Sequence, residues 1–560
     1  MPKIRIDDRV LEVGERENLI DAAARAGVHI PHFCYHPALT VAGNCRQCLV
    51  EVEGVPKPQI ACNTPVKAGM WIRTTTPAIQ EARRGVLEYL LLNHPIDCPI
   101  CDQAGECRLQ EYYMSHGLYD ARRNVDKVHK PKMVDLGPLV LLDAERCVLC
   151  TRCVRFCQEV AGVEELYVKE RGHEAEIATF PGQPLQNPYS GNVVDICPVG
   201  ALLNKDFRFK SRVWWLKQAD SVCSSCARGC NVRIDHHWNQ VQRLVPRYNP
   251  EVNRYWMCDR GRTDFRWIND NRVTEAAIGA RTVVLGEAVD ALCARLESLQ
   301  GDVAVLLSPK LANEDLLVLR RLFAAAYPVR RLGAGSLEPL QPEDRILRRA
   351  DPHPNAWAVR ALGLAADARE LVRDSGARAL LVFGDDPIGW DGELAAACAR
   401  YELVAAALTN RNATAAEVVA RDGILLPLAT HAEYAGSFTN FEGRVQRFAP
   451  ALAPYGSALP GYALGVEIAR RLRRELWPHA DGRPGGDGAP DALLAATWAQ
   501  LLPEGSELPR LDWHQVPAWG LVPGWRRTAR PRSVMTSAGA TDAASWYGEP
   551  AAAAPDEGHA

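Results

Sequence analysis

No stretch of the 560-residue chain stays apolar for the about 18 residues that a membrane helix needs. An excess of either charge is also missing. The 65 Lys and Arg against 68 Asp and Glu leave a formal net charge of −3, which argues against a nucleic-acid or general polyanion binder. The opening "MPKIRIDDRVLEV" has neither the apolar core of a secretory signal nor the Ser/Arg bias of a transit peptide. The expectation is a soluble intracellular protein of roughly three or four domains. Cysteine is scarce beyond Cys258, where only Cys293 and Cys398 occur. The other sixteen cysteines lie between Cys34 and Cys258, in tight groups. Without a secretory signal a disulfide framework is not expected. Thiols this closely spaced in a reducing compartment point to metal.

The first group is Cys34, Cys45, Cys48 and Cys62, spaced C-x10-C-x2-C-x13-C. A plant-type [2Fe–2S] loop has a shorter first gap but the same plan. Its surroundings agree: residues 3–6 and 10–13 read as a hairpin, 18–26 as a helix and 49–52 as a strand, a ferredoxin-like β-grasp order. The second group, in "HPIDCPICDQAGEC", is His94, Cys98, Cys101 and Cys107. Three thiolates leave one corner of a cubane cluster open, and a neutral imidazole can fill it. Replacing a thiolate makes the site less negative and raises its potential. His94 also reads as a plain helix C-cap before Pro95, and both readings stand at this point.

The third group, "CVLCTRCVRFC" with a distant "DICPVGAL", has Cys147, Cys150 and Cys153 in the C-x2-C-x2-C pattern of a [4Fe–4S] centre. Cys157 and Cys197 compete for the fourth place. Cys197 is followed by Pro198, as such fourth ligands are, and Cys157 by Gln158. We therefore expect one cluster closed by Cys197, with Cys157 a spare buried thiol. The fourth group is Cys223, Cys226, Cys230 and Cys258, which suits a [4Fe–4S] cluster or zinc. Fifteen cysteines plus His94 make four sets of four ligands, leaving Cys157, Cys293 and Cys398 over.

In this order the motifs resemble the large iron–sulfur subunit, the 75 kDa type, of NADH:quinone oxidoreductase, respiratory complex I. "HPIDCPICDQAGECRLQ" and "SGNVVDICPVGAL" carry the likeness, which is specific over residues 1–270. It implies that His94 is a true cluster ligand. It implies that the Cys223 set is the extra [4Fe–4S] cluster of some bacterial members, off the main electron path. The implied cofactors are one [2Fe–2S] and three [4Fe–4S] clusters, with neither molybdenum nor FMN in this chain and no acid, base or nucleophile. Electrons would enter the [2Fe–2S] set from an FMN/NADH-binding subunit and pass by the Cys147 and His94 sets to quinone-side subunits. A small [2Fe–2S] subunit completes the implied partners. The implied place is the peripheral arm, on the cytoplasmic side of a bacterial inner membrane, with membrane contact only through the complex. A similar N-terminal region occurs in diaphorase-type subunits of NAD-linked hydrogenases and formate dehydrogenases, which is the alternative. A zinc-binding scaffold without redox chemistry is a third.

Residues 271–478 alternate apolar strand-like runs with helical text, "DVAVLLSP" before "NEDLLVLRRLFAAA" reading as strand, N-cap, helix. That pattern predicts an α/β layer with a parallel sheet. "GILLPLATHAEYAGSFTNFEGRVQRF" resembles a molybdopterin-oxidoreductase segment, implying a shortened domain of that kind. Cys293 and Cys398 sit in Ala/Leu-rich helical text and read as core. "LGAGS" (332–336) reads as a turn, and Trp214 and Trp215 as core packing that excludes water. The expected fold is thus α+β and α/β multidomain: a β-grasp [2Fe–2S] domain (1–80), a His/Cys3 segment (81–120), a [4Fe–4S] ferredoxin-like domain (121–212), an extra [4Fe–4S] domain (213–270) and the α/β domain (271–478). Residues 479–560 read as a Gly/Pro linker, a proline-punctuated aromatic arm (508–527) and an Ala-rich disordered tail.

Overall fold

Alternation of Ile4 and Ile6 with charged neighbours makes a strand with one buried face. In the computed structural model, which describes residues 2–14, 17–118, 120, 122 and 126–476, that strand is an inner strand of the five-stranded N-terminal sheet. The linker, arm and tail read from the sequence lie outside these residues. Lys3–Ile6 pairs antiparallel with Arg9–Glu12 and parallel with Trp71–Arg73, which continues to Leu49–Val52 and Gln59–Ile60. Helix Leu19–Arg25 covers the sheet; the Asn18 carboxamide oxygen accepts from the Asp21 N–H at 3.0 Å and caps it. Ile4, Ile6, Leu19, Val50 and Ile72 close one core. This is the expected β-grasp order. No helix among the described residues is long and apolar enough to cross a membrane.

The chain forms two compact units. The first, residues 2–216 with 255–259, adds helix Pro77–Asn93, started by a Thr76 cap and Pro77 and ended before Pro95. Helix Arg108–His116 and two small antiparallel sheets complete it.

The second unit, residues 217–254 and 260–476, opens with an antiparallel meander of Lys217–Val222, Asn231–His237 and Gln240–Pro246. Its main sheet runs 281–283, 276–278, 424–427, 403–408, 379–383, 303–307, 331–334. The last five strands are parallel and the first two antiparallel. Val303–Leu307, Ala379–Phe383 and Leu403–Leu408 are buried along their whole length, because helices cover both faces. Cys293 and Cys398 lie in helices and pack in the two apolar layers.

Two local readings are corrected. Residues 331–334 are an edge strand, not a turn. Gly333 and Gly335 are needed there for space, since a Cβ on either would overlap the 366 position. Asn313 is the first helical residue rather than the cap. Ala312 caps, and the Asp315 carboxylate accepts the Ala312 N–H at 3.0 Å.

Beside it Glu314 is buried, accepting the Ser437 N–H at 2.9 Å and its hydroxyl at 2.5 Å. Burial pushes its carboxyl up from 4.5 to about 7. The folded state therefore binds the proton more tightly than the unfolded chain. This stabilisation is complete below pH 4.5 and is lost as pH rises through 7, at a cost of order 3 kcal/mol. Urea unfolding of the second unit between pH 5 and 8 is expected to show that slope added to those of Asp315 and Asp385, both raised to about 6 by burial, and Glu314→Gln to make it shallower. An unchanged slope in the variant would refute the assignment.

Candidate iron–sulfur site

The first unit holds three of the four candidate ligand sets, and the first and third include turns of unusual backbone. Arg46, Leu149 and Thr151, each one or two residues from a cysteine, all have φ between 50 and 60°. That left-handed turn swings successive N–H groups toward sulfur. The Leu149 N–H reaches the Cys147 sulfur at 3.4 Å and the Phe33 N–H the Cys45 sulfur at 3.4 Å.

In the first set the thiols meet directly. Cys34 is apposed to Cys45 and Cys62, and Cys48 to Cys62. The shared protons hold Cys34 and Cys48 below the ordinary thiol range and push Cys45 and Cys62 above it. In the second set, His94 follows the last turn of its helix as the C-cap and, with Cys98, Cys101 and Cys107, lines one cavity. The cap position and a place among the ligands are thus compatible. Burial pushes Cys107 up to about 12 and His94 down to about 4, so the imidazole is neutral at pH 7 and offers a lone pair to metal. In the third set Cys147, Cys150, Cys153 and Cys197 line a common small cavity, which Cys157 does not line. Burial raises all four thiols, Cys147 to about 12 and Cys150 to about 11. Cys157 is fully buried in the helix behind.

Sets of buried thiols with raised pKa values release protons only to a cation that replaces them. All four thiols of the third set meet that description, as do Cys101 and Cys107 of the second and Cys45 and Cys62 of the first, and with peptide N–H groups turned to sulfur the three sets fit iron–sulfur clusters. In the second unit, Cys223, Cys226 and Cys230 sit on the loop joining the first two strands of the meander, all buried. Cys258 is also buried and belongs to the segment 255–259 of the first unit.

The third set joins the other two. The Asn44 side chain donates to the Leu149 carbonyl at 3.1 Å, and Arg155 donates to the carbonyls of both Cys34 (2.6 Å) and Cys150 (3.2 Å). Toward the second set, the Arg108 N–H donates to the Pro198 carbonyl at 3.0 Å. Arg146, just before Cys147, forks onto Asp97, just before Cys98, at 3.0 and 2.6 Å. A Cβ on Gly200 would overlap the Cys101 sulfur.

Trp214 and Trp215 are not core: they are 59% and 56% exposed. They lie on a single short turn at the end of the first unit, with too little chain around them to bury two indoles. Trp214 rests on Gly105, whose Cβ would come within 3.0 Å of the ring, so it borders the second set.

The segment "GILLPLATHAEYAGSFTNFEGRVQRF" supports the Cys223 loop. Gln446 donates to the Gly229 carbonyl at 2.8 Å and accepts from Asn231 at 2.8 Å. The Phe441 N–H donates to the Ala227 carbonyl at 2.9 Å. Glu433 pairs with buried Arg272 at 2.7 Å.

Four family models match. Residues 2–77 match a "2Fe-2S iron-sulfur cluster binding domain" and 83–122 an "NADH-ubiquinone oxidoreductase-G iron-sulfur binding region". Residues 137–203 match "NADH-quinone oxidoreductase subunit 3, ferredoxin-like domain" and 216–265 "NADH-ubiquinone oxidoreductase NDSU1/NuoG-like, 4Fe-4S domain". The chain thus carries one [2Fe–2S] domain and several [4Fe–4S] domains. It is 38% identical over 373 residues to the NADH-ubiquinone oxidoreductase 75 kDa subunit of Reclinomonas americana, covering 63% of this chain and 52% of that protein. It is 45% identical over 276 residues to the mitochondrial NADH dehydrogenase [ubiquinone] iron-sulfur protein 1 of Solanum tuberosum, covering 49% and 37%. An NADH-quinone oxidoreductase subunit of Rickettsia bellii is 39% identical over 327 residues, covering 58% of this chain and 48% of that one. The chain spans about half the length of the curated relatives it matches. A solved chain from the NAD+-reducing [NiFe]-hydrogenase in the H2-reduced state is 28% identical, covering 38% of this chain and 91% of that one, with a TM-score of 0.34.

Proposed function

We propose, from the chain's similarity through residues 2–265 to NADH-quinone oxidoreductase iron–sulfur proteins of the 75 kDa type, that it is an electron-transfer subunit of an NADH:quinone oxidoreductase. Iron–sulfur clusters, when bound, exchange single electrons with little ligand rearrangement. The chain's own residues hold, insulate and tune them. We assign the [2Fe–2S] centre to Cys34, Cys45, Cys48 and Cys62. The [4Fe–4S] centres go to His94, Cys98, Cys101 and Cys107; to Cys147, Cys150, Cys153 and Cys197; and to Cys223, Cys226, Cys230 and Cys258. The domain division follows these sets.

One observation carries the reading: the third set is hydrogen-bonded to the first on one side and to the second on the other. A relay in the order first, third, second needs that arrangement, and a set of independent structural metals does not. Electrons would come from an FMN/NADH-binding subunit, in company with a small [2Fe–2S] subunit, and leave to quinone-side subunits. The chain would lie in the peripheral arm of that assembly, on the cytoplasmic face of a bacterial inner membrane. Alone, the chain is not expected to oxidise NADH or reduce quinone efficiently.

The test is metal analysis of anaerobically purified protein. About 14 iron per chain and no zinc are expected from one [2Fe–2S] and three [4Fe–4S] clusters. About 10 iron with one zinc would make the Cys223 set a structural clamp beside a three-centre wire. Little iron and several zinc would sink the electron-transfer reading.

A further inference from the structure

Two arginines stand within the third-set segment, Arg152 and Arg155, 4% and 9% exposed. Buried guanidinium groups are ordinarily matched by carboxylates, because an unmatched buried cation is costly. These two have no carboxylate partner among the described residues. Arg155 donates to the carbonyls of Cys34, Cys150 and Thr40 and to the Thr151 hydroxyl. Arg152 donates to the carbonyls of Tyr35 and Ile196, each next to a ligand cysteine. Glu159, the nearest acid along the same helical segment, is occupied by the N–H and hydroxyl of Thr40. By contrast Arg146, at the other junction, has Asp97 and Asp143.

The missing negative charge is supplied if the neighbouring sulfur sets carry clusters, since four thiolates around a cluster leave a net negative charge. On the electron-transfer reading above, we infer that Arg155, seconded by Arg152, is the shared counter-cation of the first and third centres. It is a positioning residue. One guanidinium fixes the spacing of the two ligand loops through Cys34 and Cys150, and its charge draws the potentials of both centres upward together. Cluster potentials respond to nearby charge and hydrogen bonding, so a cation held between two centres shifts both and leaves their difference nearly unchanged. That keeps the single-electron step between them close to balanced, with no bond made or broken. Arg83, 2% exposed and donating to the Leu49 carbonyl at 3.0 Å, stands beside Cys48 on another side of the first set.

The experiment is an EPR-monitored redox titration of the full chain, purified without air, as parent, Arg155→Gln and Arg155→Lys, with iron counted in each. Arg155→Gln keeps a donor and loses the charge. It is expected to lower the electron affinity of the [2Fe–2S] and Cys147-set centres by about tenfold each, about 59 mV for a one-electron couple. The His94-set centre should hold its potential. Arg155→Lys, which keeps the charge, should leave both potentials near the parent values. If Arg155→Gln takes up no iron at these sets while Arg155→Lys loads normally, the counter-charge is still supported. A shift in one centre only, no shift at full iron content, or equal loss in both variants would overturn it. A parent protein without [2Fe–2S] and [4Fe–4S] signals would instead overturn the electron-transfer reading, and this inference with it.

Discussion

Cys197→Ser is expected to remove about four iron per chain and the EPR signal of the third centre, whereas Cys157→Ser is expected to keep both. The two thiols are hard to separate by spacing, because Cys157 follows Cys153 closely and Cys197 comes after 43 intervening residues. Geometry separates them. Cys197 lines the cavity shared with Cys147, Cys150 and Cys153, and the N–H groups of Val199, Ala201 and Leu202 are turned to its sulfur. Cys157 is raised to about 12 by burial and gains nothing from those donors. Because the third set is hydrogen-bonded to both others, its loss is expected to break electron passage from the first centre to the second. The reduced [2Fe–2S] signal should then persist on a timescale at which the parent has re-equilibrated. Iron analysis with rapid-freeze EPR checks both statements. Loss of the centre in Cys157→Ser and its survival in Cys197→Ser would reverse the assignment.

Gly200→Val is the second large effect. Gly200 has an ordinary backbone conformation, so its requirement is space rather than φ. An added Cβ overlaps the Cys101 sulfur and comes within 3.1 Å of the Gln103 Cβ and 3.6 Å of the Arg146 Cδ. The flexible end of a long side chain could give way at little cost. A ligand sulfur, the backbone-proximal Cβ of its neighbour and a guanidinium stem locked onto Asp97 cannot. The expected outcome is loss of about four iron from the His94 set, with overpacking of about 1–3 kcal/mol. Gly85→Ala is the matched control. It lies inside helix Pro77–Asn93 with nothing within 4 Å of a built Cβ, and is expected to leave iron unchanged and add up to about 1 kcal/mol of stability. Full iron content in Gly200→Val would show that the cysteine loop can retreat.

Much of this site is legible because cysteine spacing is local. Cys98 to Cys107 and Cys147 to Cys153 each lie on one short stretch of chain, and the β-grasp hairpin, helix and strand before them are read from Ile4, Ile6, Asn18 and Val50 alone. What joins the sets is not local. Arg155 meets the Cys34 carbonyl across 121 positions and Arg152 meets Tyr35 across 117. The only sequence trace is two cations inside a cysteine run, "CTRCVRFC", where apolar residues would pack more cheaply. Trp214 and Trp215 read as core from their type, but a tryptophan on a short terminal turn has no second layer to cover it. The glycines of "LGAGS" read as punctuation. At 333 and 335 they are instead the thin edge of a sheet against the neighbouring chain segment.

The support beneath the Cys223 loop bears on the order in which the protein is made. Every ligand of the first three sets has been synthesised by residue 197, and the strand that closes their last loop ends at Asn204. The loop bearing Cys226 and Cys230 is different. Its Gly229 carbonyl is held by Gln446, 217 positions further along the chain. While the chain is being translated, that loop therefore lacks its floor until the hairpin 436–448 has emerged. On the proposed assignment, all the ligands of the first three sets are present on a nascent chain that has passed residue 204, and the Cys223 loop gains this hydrogen bond only once nearly the whole described polypeptide has emerged.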